Sequence, residues 1–110
     1  MANPTLIDLQ LTDEELEDIL TTACEGGSTY WARSDKHLSR ALTEPVKVWD
    51  REDGSQLGEL TKGKLLAAPA IMAEKCPRMF GELVRDRAAM DADAADAFVQ
   101  CALLGELVYG

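Results

Sequence analysis

A chain of 110 residues and 12.0 kDa has the length of one domain, 1–110, and leaves little room for a second. A hydrophobic share of 46% supports a core, and only 5% aromatics means a core built mainly of Leu, Ala, Val, Ile and Met. Twenty acidic residues against eleven basic ones, net charge −9, argue against a broad basic face that grips nucleic acid.

Thr12 and Glu15 have the spacing of a capping box. Leu16, Ile19, Leu20 and Ala23 follow at i, i+3, i+4 and i+7, which predicts a helix over 12–25 with Glu14, Glu17, Asp18 and Glu25 on the opposite face. Gly26-Gly27 is expected to end it in the left-handed conformation that glycine tolerates. Ser28 to Ala32, β-prone and aromatic, reads as a short strand. Adjacent Tyr30 and Trp31 would then point to opposite faces. Residues 33–45 read as polar and irregular, with Arg33, Lys36, His37 and Arg40 close together. Val46 to Trp49 alternates apolar and polar, Glu52-Asp53-Gly54 is a hairpin turn signal, and Gln56 to Leu60 is the returning strand.

Thr61 is the expected N-cap of a second helix, with Leu65, Pro69, Met72, Ala73 and Cys76 on one face. An interior proline costs about 3 kcal/mol, so the helix is expected either to kink at Pro69 or to begin there. Pro77 suits the first position of a third helix, with Phe80, Leu83 and Val84 inward and Arg85, Asp86 and Arg87 closing it. The last helix is predicted from about Asp93 to Leu104, capped by Asp91 or Asp93. It is apolar nearly all round, save a polar stripe of Asp96 and Gln100, and is therefore central. Gly105 stops it, and Leu107-Val108-Tyr109 reads as a final short strand. The expected class is α+β: a small antiparallel sheet with about four helices packed mainly on one face.

The charge is segregated. Residues 1–26 carry seven acids and no Lys or Arg, residues 88–110 carry a net −4, and the middle, 27–87, carries a net +2. Such runs ordinarily mark a solvated face; the functional alternative is an acidic surface that docks on a basic partner. The N-terminal residues lack the basic and apolar regions of a signal peptide. The longest apolar run, Leu65 to Ala73, is far short of the ~20 residues that cross a bilayer. A soluble, cytoplasmic protein without membrane contact is expected. Cys24, Cys76 and Cys101, odd in number and widely spaced, fit reduced thiols acting as small apolar residues.

Two stretches carry a resemblance. Glu25-Gly26-Gly27-Ser28-Thr29-Tyr30-Trp31 resembles the E-G-G-x-x-Y-W segment of small hypothetical proteins of tailed bacteriophages and prophages. Asp91-Ala92-Asp93-Ala94-Ala95-Asp96 onward, ending Gln100-Cys101-Ala102-Leu103-Leu104-Gly105-Glu106-Leu107-Val108-Tyr109-Gly110, resembles their A-D-x-x-x-Q-x-A-L-F-G-E-x-x-Y-G ending, with Leu104 in place of the more usual Phe. The resemblance implies a phage or prophage origin and action in the bacterial cytoplasm. It carries over no catalytic residues.

Sites of chemistry are scarce. His37, the single histidine, has no nucleophile signature around any cysteine. Asp91-x-Asp93-x-x-Asp96 lacks the glycine and distal glutamate of a calcium loop, and helix capping explains it better. Gly26-Gly27 follows a helix, whereas phosphate loops precede one. Arg33, Lys36 and Arg40 could touch phosphate, against the field of the acidic ends. No catalysis, cofactor or metal is therefore expected. The leading expectation is a stoichiometric binder of a host protein, of the anti-CRISPR kind, that uses Glu14, Glu17, Asp18 and Glu25 against a basic nucleic-acid-binding surface, with Tyr30, Trp31 and Trp49 as aromatic anchors. One alternative is a self-associating module, monomer or homodimer, joined through the apolar last helix and exposed aromatics. A further one is a small ligand-binding protein with convergent polar groups in a pocket.

Overall fold

The computed structural model describes residues 10–86 and 90–110. Helix α1, Asp13–Thr22, opens on a complete capping box: the Glu15 amide donates to Thr12 Oγ1 at 3.1 Å, and the Thr12 amide donates to Glu15 Oε1 at 2.9 Å. Leu16, Ile19 and Leu20 are its buried face. The helix then widens into a π-helical turn, Ala23–Gly27. The glycine pair acts differently from expectation. Gly26 has φ 172°, extended backbone open to any residue. Gly27 is required by proximity, because a Cβ there would lie 2.6 Å from the Ala92 carbonyl oxygen. That close approach sets the turn against the start of the last helix.

The expected strand at 28–32 forms later. Residues 29–31 make a turn, and β1 is Ala32–Ser34. A 3₁₀ turn, Leu38–Leu42, buries Leu38 and Ala41, so the segment read as irregular has structure of its own. β2, Val46–Asp50, and β3, Gln56–Leu60, form the hairpin, and the three strands make an antiparallel sheet in the order β1-β2-β3. Val46, Val48 and Leu60 face the core, and Lys47, which pairs with Glu59, faces out.

Helix α2, Lys62–Lys75, starts at the Thr61 cap and runs through Pro69; it does not begin at the proline. Leu65, Ala68, Pro69 and Met72 are buried along one side, and this burial offsets the hydrogen bond that proline cannot make. Helix α3, Pro77–Arg85, buries Leu83 and half-buries Phe80. Val84 is exposed, contrary to its expected inward position: the helix has a single narrow contact face. Arg87 lies outside the described residues.

Helix α4, Ala92–Leu104, is capped by Asp91, whose Oδ1 accepts from the Ala94 amide at 2.8 Å. Gly105 closes it at φ 80°, the left-handed conformation that glycine adopts without strain. Every residue from Ala94 to Leu103 is buried, between α1, the π-turn, β3, α2 and α3. The expected last strand does not form; residues 107–110 are irregular, with Leu107 and Val108 exposed. The architecture is α+β, with four helices around a three-stranded antiparallel sheet. Among the described residues, no helix is long and apolar enough to cross a membrane.

Candidate functional site

The polar stripe of α4 faces inward. Asp96 is 7% exposed and Gln100 1%. A buried carboxylate costs several kcal/mol unless its oxygens are satisfied, and here four neutral donors satisfy them. Asp96 Oδ1 accepts from Ser28 Oγ at 2.8 Å and from Trp31 Nε1 at 2.7 Å; Oδ2 accepts from the Tyr30 hydroxyl at 2.8 Å and from Gln100 Nε2 at 2.9 Å. No Lys or Arg among the described residues pairs with it.

Gln100, one turn on, extends the network to the chain's end. Its Oε1 accepts from the amides of Val108 at 2.8 Å and Tyr109 at 2.9 Å, and its Nε2 donates to the Tyr109 carbonyl at 3.0 Å. Tyr109 thereby lies flat on Trp31, centroids 4.7 Å apart and planes within 10°. Its hydroxyl donates to Asp50 Oδ2 at 2.6 Å, while Asp50 Oδ1 accepts from the amides of Glu52 and Asp53 in the hairpin turn. One polar chain thus ties the turn after α1, helix α4, the tail and the β2–β3 hairpin together.

The electrostatics follow from the geometry. Partial burial, reinforced by the hydrogen bond to Asp96, pushes the Tyr30 phenol up to about 12. The Asp50 carboxylate likewise pushes Tyr109 up to about 12. In return, the Tyr109 hydroxyl and two backbone amides hold Asp50 below the usual carboxylate range. Both phenols therefore stay protonated near neutrality, each donating its hydrogen bond to a carboxylate.

The sequence-selected residues fare unequally. Glu14, Glu17, Asp18 and Glu25 are exposed, and none makes an ion pair among the described residues. Tyr30 is 54% exposed, with its hydroxyl turned in. Trp31 is 3% exposed; bonded to Asp96 and roofed by Tyr109, it is a core residue and cannot anchor a partner. Trp49 is half-buried, with the Arg33 guanidinium 5.6 Å from its ring centre. The Arg33, Lys36 and Arg40 cluster is dismantled: Lys36 pairs with Asp35 and Glu44, and Arg40 with Glu44. His37 caps the 3₁₀ turn through Nδ1.

Cys76 and Cys101 sit with their sulfurs 3.7 Å apart, buried, and burial raises both thiols, Cys101 to about 12. They are packing residues rather than nucleophiles. Asp91 caps, Asp93 stays exposed and Asp96 turns inward. Among the described residues, no group of three or more His, Cys, Asp or Glu side chains could hold a metal. Helix α4, expected to offer a dimer surface, is instead enclosed within its own chain from Ala94 to Leu103.

The two segments that carry the phage resemblance meet in this network: Gly27, Ser28, Tyr30 and Trp31 on one side, Asp96, Gln100 and Tyr109 on the other. The signal that could have revealed it was present, for a helix that is central cannot leave Asp96 and Gln100 in water. Comparison with known proteins finds no match, whether among family models, curated proteins or solved structures.

Proposed function

We propose that this protein acts by stoichiometric binding and presents the outer face of α1 to a basic surface of a host protein. What supports this reading is a contrast in how charges are used. Asp13, Asp35, Glu44, Glu74 and Glu82 are ion-paired with the chain's own bases. Glu14, Glu17, Asp18 and Glu25 stand exposed without such a pair among the described residues. The charge of these four acids is therefore available to the bases of a partner. A second acidic element lies in a groove of 310 Å³ lined by Tyr30, Asp50, Glu52 and Asp53. There the exposed ring of Tyr30 offers a cation–π face to a basic side chain.

With the resemblance to phage proteins, the concrete form is an inhibitor of a bacterial defence complex, of the anti-CRISPR kind, that competes with nucleic acid for a basic surface in the bacterial cytoplasm. The test is capture of the host protein by the wild-type chain and by the triple variant E14K/E17K/D18K. The wild type should form a complex of fixed stoichiometry that weakens with salt. The folded triple variant should lose it. Retention of the same partner by that variant would overturn the reading.

A further inference from the structure

Of the bases among the described residues, Arg33, Lys47, Arg51, Lys64 and Arg78 are in no ion pair, and Arg33 and Arg51 are brought near each other by the sheet register. Neither pairs with a carboxylate, in a chain with twenty of them. Both line one half-enclosed cavity of 160 Å³ between the α1 end and the sheet, together with Cys24, Ser28, Thr29 and Ser34. Sheet register explains why they meet. Arg33 sits opposite Trp49, and Arg51 follows Asp50, which sits opposite Ala32; the Arg51 amide bonds the Trp31 carbonyl at 2.8 Å. Arg33 and Trp49, directly opposite on β1 and β2, share a face, and Arg51 follows two residues beyond Trp49.

Each guanidinium is held by a neutral partner. Arg51 Nη2 donates to the Ala32 carbonyl at 3.2 Å, and Arg33 lies over Trp49. Both groups are therefore positioned, yet keep unused N–H donors and a full charge.

We propose that this cavity binds a phosphate group. Two guanidiniums match a dianion better than a singly charged carboxylate, and their planar forks suit phosphate oxygens. The volume equals about five waters, enough for a phosphoryl group whose ester substituent, if any, stays outside. The site does not rest on the acidic-face reading, since it uses other residues and the opposite charge.

The experiment is amide chemical-shift titration of the whole chain, at low ionic strength, with inorganic phosphate, O-phosphoserine and acetate. Phosphate should produce saturable shifts confined to residues 24, 28–29, 33–34 and 51, and acetate should bind at least about tenfold more weakly. R33Q and R51Q should each weaken phosphate binding about tenfold or more. Tighter binding of phosphoserine than of phosphate marks an esterified ligand, and equal binding marks free phosphate; both support the site. Absence of localised shifts in the wild type overturns it, as does acetate binding as tightly as phosphate or unchanged affinity in both folded variants.

Discussion

Asp96 and the acids of α1 are the same chemistry put to opposite uses. Asp96 is enclosed, and four neutral donors from two segments saturate its two oxygens. Glu14, Glu17 and Asp18 are open to water and make no ion pair among the described residues. A buried carboxylate is kept because groups far apart in sequence depend on it. An exposed one on a helix has no such dependants, and its charge remains available to something outside the molecule. The comparison separates what holds this fold together from what the fold displays.

The sharpest way to break that comparison is to remove Asp96. D96A leaves the Ser28 and Tyr30 hydroxyls, the Trp31 indole N–H and the Gln100 amide without their acceptor. Hydrogen bonds to a charged group contribute more than neutral ones, and stranded buried donors carry their own penalty, so a loss of about 4 kcal/mol is expected. That is a large part of the 5–15 kcal/mol typical of a domain. D96N keeps the shape but places an N–H₂ where donors converge, and should lose about 2–3 kcal/mol. Denaturant unfolding measures both. A D96N protein as stable as the wild type would show that the charge itself is dispensable.

The tyrosines sharpen the same point with a smaller effect. Tyr30 and Tyr109 are the only tyrosines of the chain, and each is pushed to about 12 by a carboxylate it serves or by burial. The folded protein should show phenolate absorbance rising near pH 12, and the denatured chain near the ordinary value of about 10. A folded-state value above the unfolded one gives stability that is complete below pH 10 and is lost as the pH rises from there through about 12. Asp50 works in the other direction. Its lowered value contributes stability above the ordinary carboxylate range, which is lost as the pH falls through the folded value. Y109F keeps the stack on Trp31 but removes the bond to Asp50. It should abolish one phenolate titration, lower stability above the carboxylate range and shrink the loss seen as the pH falls through it, leaving Tyr30 near 12. A native titration of both tyrosines near 10 would refute the network.

Much of the fold was legible because periodicity carries it. The capping box of α1, the hairpin, the Thr61 cap and the apolar girth of α4 all lie in local sequence. What was not legible depends on distant partners. The aromatic run at Tyr30-Trp31 has strand propensity, but its polar atoms bond a carboxylate 66 and 65 residues away, and that contact holds the segment as a turn. The Gly26-Gly27 pair predicted a helix end without revealing that only Gly27 matters, because the atom it must avoid belongs to Ala92. Leu107 to Tyr109 has the composition of a strand, yet a strand needs a neighbour, and the Val108 and Tyr109 amides find the Gln100 side chain instead. Arg51 carries no local signal, since its closeness to Arg33 is a matter of sheet register. For the site, the sequence already held two statements in conflict: α4 is central, and Asp96 with Gln100 forms a polar stripe. Physics resolves them one way, by burying the stripe and supplying it with partners.

The smallest expected effect lies on the other side of the comparison. E14Q/E17Q/D18N removes three charges from α1 without changing shape. Losing acids near a helix N-terminus weakens the favourable dipole interaction by a few tenths of a kcal/mol, chiefly at Glu14. Relief of like-charge repulsion between Glu14 and Asp18, one turn apart, returns a similar amount. The net change in unfolding free energy should be within about 0.5 kcal/mol of zero, while association with a basic partner slows and loses most of its salt dependence. A loss of stability rivalling that of D96N would mean that these acids hold the fold after all. It would erase the distinction between the carboxylate that is enclosed and those that are displayed.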